Sequence, residues 1–215
     1  MTEEEYIIDP CRASSLPFWK TEEIKVPEHL LIVRDDLMPD TETEGEDEPY
    51  FRMIHDLDNV RRSPIPEGFV IAERGIPAFA EHINECYSDI GVKAEELSAY
   101  ARRPVCDPAL WVAVVEEKSG RIAASGIAEL DARIGEGILE WIQVSPEHRR
   151  KGLGRFVVNE LLCRMLGRAK FVTVSGRLLD PSKPEALYAS CGFAGKTVWH
   201  VITKKPPDRN QKAAQ

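Results

Sequence analysis

The sequence predicts an α/β fold, a mixed central sheet with helices on both faces, and three observations carry that reading. Residues 109–144 hold three strand-like runs, ALWVAVVEE, RIAASGIAEL and ILEWIQV, joined by turns so short that the strands are antiparallel neighbours. A helix follows the third run: Leu153, Phe156, Val157, Leu161, Leu162, Met165 and Leu166 recur at helical intervals and share one broad face. The next run, Lys170–Ser175, is reached through that helix, and a helical crossover makes it parallel to Ile138–Val144.

The remaining elements follow in order. His29–Arg34 reads as a strand, and Asp35–Glu48 (DDLMPDTETEGEDE) as a solvated acidic loop almost free of apolar side chains. Tyr50–Leu57 alternates and is expected to pair with the strand before it. RRSPIPEG, residues 61–68, is a connection punctuated by proline and glycine. Phe69–Ala72 is a short strand. Ile76–Tyr87 is a helix with Pro77 in its first turn, where the missing N–H costs nothing. Lys93–Arg102 is a second helix that stops before Pro104. Near the end, Pro184–Ser190 is a short helix, Val198–Thr203 a last strand, and the tail from Lys204 is polar. The segments CRASSLPFWK and YFRMIHDL receive no role.

Composition narrows the function. The 215 residues allow one well-cored domain with an extension, and 43% hydrophobic with 30% charged residues is ordinary for a globular protein. No run approaches the roughly 20 apolar residues of a membrane span, and the acidic start MTEEEYIID lacks the parts of a signal peptide. Five unevenly spaced cysteines without a C-x-x-C pair read as free thiols, with neither a disulfide frame nor a metal site. A cytoplasmic protein is expected. A net charge of -8 speaks against nucleic acid as a partner and favours a cationic ligand.

Against that acidity stands one dense basic cluster, Arg149, Arg150, Lys151 and Arg155, around Gly152 and Gly154 at the start of the long helix. The first turn of a helix has unpartnered N–H groups and the positive end of the macrodipole. Glycines let a ligand oxygen approach those amides, so the turn is a site for phosphate or pyrophosphate. It is not a Walker loop, since Arg155-Phe156 follows Gly154 in place of Lys-Ser/Thr. It is not a dinucleotide fingerprint either, since Val157 stands where a third small residue belongs. What remains, Arg149-x-x-Gly152-x-Gly154 after a strand, resembles the acetyl-CoA signature of the GNAT acetyltransferase superfamily. A second segment, Leu187-Tyr188-Ala189-Ser190-Cys191-Gly192-Phe193, resembles that family's Leu-Tyr-x-x-x-Gly-Phe.

The resemblance covers about residues 68–203, leaving 1–67 as an N-terminal extension with the acidic loop 35–48, and 204–215 as a tail. It implies the GNAT fold, with antiparallel N-terminal strands and a parallel pair splayed apart at the coenzyme site. It implies acetyl-CoA as acyl donor and no metal. The coenzyme arm would run along Ile142, Gln143 and Val144, and its diphosphate would meet Arg149, Arg150, Lys151, Gly152, Leu153, Gly154 and Arg155. Transfer to an amine needs a base, because an ammonium of pKa near 10 has no free lone pair, and a proton for the departing thiolate. The resemblance assigns these roles to Glu140, directly or through water, and Tyr188. Lys183 stands near the position of an asparagine that bonds the arm in many relatives. The acceptor would be a small amine or an exposed protein or peptide amine, with no nucleic acid and no membrane involved, and a homodimer is in keeping with the family. The alternative is a non-catalytic acyl-CoA-binding or regulatory module of the same fold.

Overall fold

The structure, a computed structural model, describes residues 1–39 and 45–204. Three short helices open the chain, α1 (Glu3–Ile8), α2 (Pro10–Ala13) and α3 (Phe18–Glu23), followed by strands β1 (Leu30–Arg34), β2 (Gly45–His55) and β3 (Phe69–Ile71). Helices α4 (Ile76–Cys86) and α5 (Ala94–Tyr100) precede β4 (Cys106–Glu116), β5 (Ile122–Asp131) and β6 (Glu136–Val144). Helix α6 (Leu153–Met165), β7 (Phe171–Arg177), α7 (Pro184–Ser190) and β8 (Ala194–Lys204) complete it. The eight strands form one sheet in the order β1-β8-β2-β7-β6-β5-β4-β3, in which the described parallel pair is β6 with β7.

Antiparallel β4–β5–β6 and the helical crossover to β7 are as the sequence predicts. The N-terminal strands are not. β2 does not pair with β1; it lies between β7 and β8 and is antiparallel to both, while β1 pairs with the far side of β8. The alternation of Tyr50–Leu57 marks a strand with two unlike faces but says nothing about which edge it meets. The acidic stretch also changes character. Gly45–Glu48 already belongs to β2, because its carboxylates find cations there: Asp47 bonds His200 at 2.7 Å and Glu48 pairs with Arg177 at 2.7 Å. Residues 40–44 of the expected loop and 205–215 of the expected tail lie outside the described residues.

Each face of the sheet carries its own core. Behind it, α6 buries Leu153, Phe156, Val157, Val158, Leu161, Leu162 and Met165 against Val112, Val114, Ala124, Leu139, Val172 and Val174, and α7 adds Tyr188. The helix lies close: a Cβ on Gly126 of β5 would meet Val157 at 2.5 Å and Leu161 at 2.9 Å. In front, α4 and α5 cover β4–β6 with Phe79, Ala80, Ile83, Leu97 and Tyr100 against Ala113 and Ile127. The N-terminal helices share this front face, through Tyr6 and Phe18 on Ile134 and Phe171, and Trp19 on Val105 and Ile138. A buried ion pair holds them: Arg52 of β2 donates to Glu136 of β6 at 3.1 Å and to the Tyr6 hydroxyl at 2.6 Å. Tyr6 and Thr173 in turn each donate to Glu136 at 2.6 Å.

Candidate functional site

Two interruptions in the sheet shape the site. Pairing between β6 and β7 runs from Glu136↔Phe171 to Leu139↔Val174 and stops, yet β6 continues five residues to Val144. On the other edge, β5 pairs Ile127 with Trp141 and Ala128 with Leu139, so Glu140 is the extra residue of a bulge. A bulge re-aims side chains. Here it turns both Glu140 and Trp141 to the front face, Glu140 to Lys20 and Trp141 to the α4–α5 core. Beyond it, the Ser145 N–H bonds Ala123 of β5. By the period of two, Ile142 and Val144 then present their backbone polar groups to the edge that β7 has left. Their carbonyls accept from the Tyr87 hydroxyl at 3.4 Å and from Arg149 Nε at 3.3 Å.

The basic turn follows at the end of this free edge. Gly152, the N-cap of α6, is left-handed at φ 83°, a conformation that costs other residues roughly 1–2 kcal/mol, and as a glycine it brings no side chain to cap the helix. The first-turn amides of Leu153, Gly154 and Arg155 therefore open the helix without a competing side-chain acceptor. Leu153 itself is buried in the core, whereas Arg149, Arg150, Lys151 and Arg155 are exposed. Lys151 Nζ lies 3.1 Å from His148 Nδ1 and over the Phe69 ring. Gly154 has a packing role as well: a Cβ there would meet Leu187 of α7 at 3.2 Å.

Tyr188, next to Leu187, is 6% exposed and packs on Phe51 and Phe193. Burial pushes its phenol well above the ordinary value, and the neighbouring Tyr87 and Cys191 add to this, so it stays protonated. Lys183 is the left-handed N-cap of α7, with an exposed side chain. Gln143 turns the other way from the gap. Its side chain is buried and its amide donates to Ser125 Oγ, inside a network with His82. His82 Nδ1 lies 2.8 Å from Ser125 Oγ and Nε2 lies 2.9 Å from Ser145 Oγ. Because Ser145 Oγ donates to the Ile122 carbonyl, it accepts from Nε2–H, and Ser125 donates to Nδ1. The imidazole is thus neutral, and burial holds its pKa down at about 4.

Glu140 does not stand alone. Its carboxylate pairs with Lys20 of α3, and both side chains are only 16% exposed. Glu129 of β5, fully buried, accepts from the Trp19 indole at 3.0 Å and from Arg103 at 3.4 Å. Burial, with Glu140 close by, pushes the Glu129 carboxyl up to about 7 against the pull of Lys20 and Arg103. Tyr100 completes the group, its phenol raised first by burial and then by both carboxylates. The sequence contains one signal for this cluster, a lone glutamate in the apolar run RIAASGIAEL. For Lys20 and Tyr100 it contains none, because only the fold brings α3 and α5 to β6. Among the described residues no group of His, Cys, Asp or Glu is arranged to hold a metal ion, and no helix is long and apolar enough to cross a membrane.

With this geometry in view, residues 107–194 match the family model described as an acetyltransferase (GNAT) domain. That segment is similar to the GNAT superfamily. The fold of the chain is similar to that of a GCN5-related N-acetyltransferase from Sphaerobacter thermophilus, with a TM-score of 0.63 at 20% identity over 77% of this chain and 55% of that one. A GNAT-family protein from Novosphingobium aromaticivorans gives 0.55 at 16% identity, covering 82% of this chain and 74% of that one. A GNAT-family acetyltransferase from Colwellia psychrerythraea gives 0.55 at 15%, over 75% and 59%. At these identities the likeness is one of fold, and the chain spans little more than half the length of the Sphaerobacter GNAT protein. No curated protein sequence matches it. The free edge of β6 and the glycine turn, the features on which the resemblance rests, both lie inside the matched segment.

Proposed function

We propose that this protein is an N-acetyltransferase of the GNAT superfamily that takes the acetyl group of acetyl-CoA and transfers it directly to a primary amine. One observation carries the reading: the unpaired edge of β6, from Glu140 to Val144, leads straight to an uncapped helix N-terminus among four cations. That arrangement fits an acyl-CoA, which combines a diphosphate with an arm of amides. The amides of Leu153, Gly154 and Arg155, with Arg149, Arg150 and Lys151, would hold the diphosphate. The edges of Ile142 and Val144 would pair with the arm once the Tyr87 hydroxyl and the Arg149 side chain release them. The coenzyme supplies an activated acetyl thioester.

This chain's residues then manage protons. Glu140 takes the proton from the acceptor ammonium, directly or through water, and its place at the bulge aims it at the front face, where an amine would arrive. Tyr188, held protonated by burial, donates to the leaving thiolate. The carboxylates of Glu140 and Glu129 favour a cationic acceptor, either a small amine or an exposed peptide amine. The second reading, a non-catalytic acyl-CoA-binding module, is favoured by one observation, the engagement of Glu140 by Lys20.

Thiol release from acetyl-CoA with a panel of amines tests the choice. Glu140→Gln and Tyr188→Phe should each lower kcat, by about 10²–10⁴-fold for a general acid or base, with coenzyme affinity kept. No turnover with any amine, while coenzyme A still raises Tm, would establish the binding module instead. Gly152→Asp places a carboxylate in the anion site and should weaken coenzyme A binding at least tenfold. An unchanged Kd in a folded variant would displace the diphosphate from this turn.

A further inference from the structure

Three consecutive residues of α3 reach three carboxylates on the front of the sheet. The Phe18 N–H donates to Glu136 Oε2 at 3.0 Å, the Trp19 indole to Glu129 Oε2 at 3.0 Å, and the Lys20 ammonium to Glu140. The Trp19 ring lies beneath Arg103, 5.2 Å from its guanidinium carbon, and Phe18 and Trp19 are both buried. These contacts fix the backbone of PFWK and direct one amine at the first β6 residue beyond the last β6–β7 pair. A lysine held only for charge balance would serve as well against Glu129, the more deeply buried carboxylate. Lys20 instead meets the carboxylate at the bulge, beside the gap.

We propose that Lys20 is an acetylation site of this protein, modified in cis by its own active site. The proposal rests on the acetyltransferase reading above and adds its first acceptor, a lysine amine presented by a helix packed on the sheet. In the step, Glu140 takes one proton from the Lys20 ammonium and Nζ forms a bond to the acetyl carbonyl carbon. The carbon–sulfur bond breaks, its electron pair stays on sulfur, and the second proton leaving Nζ ends on the thiol. The products are an acetamide at Lys20, free coenzyme A, and a proton that Glu140 returns to solvent. The acetamide is neutral and no longer pairs with the carboxylate, so modification frees Glu140 for an amine from outside.

The test uses the full chain, acetyl-CoA and peptide mass mapping. Lys25, Lys118 and Lys196, all exposed, report the chemical background. Lys20 should gain one acetyl group at least tenfold faster than these three, at a rate per molecule independent of protein concentration. Glu140→Gln, checked for an unchanged Tm, should remove the excess. Acetic anhydride without coenzyme should reverse the order, labelling Lys20 slowest because Glu140 and the fold enclose its amine. Lys20 no faster than the exposed lysines with acetyl-CoA, while added amines are turned over, would overturn the proposal and leave the enzyme reading standing. Rapid anhydride labelling of Lys20 would overturn it by showing an amine that Glu140 does not hold. Neither labelling nor amine turnover, with coenzyme A still bound, would remove both readings together.

Discussion

Arg52 and Glu136 face each other at 2% and zero side-chain exposure; Tyr6, Thr173 and the Phe18 N–H also donate to Glu136, and Ser15 and Ser175 accept from Arg52. Taking such charges out of water is tolerable only when each has its partner, and deleting one leaves the other stranded. Arg52→Met should therefore cost about 3–5 kcal/mol, measured by urea unfolding. His82 gives a second prediction at this scale. Its pKa lies near 4 in the fold, below the ordinary 6.5, with burial as the main cause. The unfolded chain therefore binds the proton first as pH falls. The stability tied to the neutral imidazole is complete above pH 6.5 and is lost on the way down to 4. The full loss is about 3 kcal/mol. Glu129 slopes the other way, since its carboxyl is raised: its share is present below about 4.5 and is lost as pH rises through about 7. Comparing wild type with His82→Gln cancels that second slope, and the difference in Tm should grow smaller from pH 6.5 to pH 4. A constant difference would show an imidazole that titrates normally. Neither cluster was legible beforehand, because a histidine or an arginine in a sequence does not say who its neighbours are.

At the scale of elements, periodicity reads well where the chain itself supplies two unlike faces. Helix α6, strands β4 to β7 and helix α7 follow from their apolar spacing and from proline and glycine at their ends. The three N-terminal helices do not, because four to six residues are too few to show a period. They hold through contacts made at a distance, such as Phe18, Trp19 and Lys20 with Glu136, Glu129 and Glu140. The basic turn was legible for the opposite reason: its chemistry is local, carried by a short run of residues between a strand and a helix. The carboxylate cluster around Glu140 is assembled from α3, α5, β5 and β6, and that is why the sequence pointed to Glu140 but not to its neighbours.

For the whole molecule, the decisive fact is the position of β2. It lies inside the sheet, between β7 and β8, and its removal would leave both strands without the ladder that joins them. We propose that the acetyltransferase unit includes β1 and β2 and is larger than the 68–203 segment to which the family pattern points. A chain beginning at residue 68 should lose the cooperative thermal transition of the full protein, and a folded, coenzyme-binding fragment would refute this. Sequence alone did not reveal the arrangement because strand order is fixed by partners far along the chain.

That interleaving has a cost in time. During synthesis β2 leaves the ribosome well before the residues it must meet, as Arg52 and its neighbour Ser175 are 123 positions apart. Until β7 and β8 emerge, an alternating strand waits with both edges bare, open to mispairing with other nascent chains. Such late closure of distant contacts makes for slow folding. In a cell, this protein's yield would then depend on how well that waiting strand is shielded.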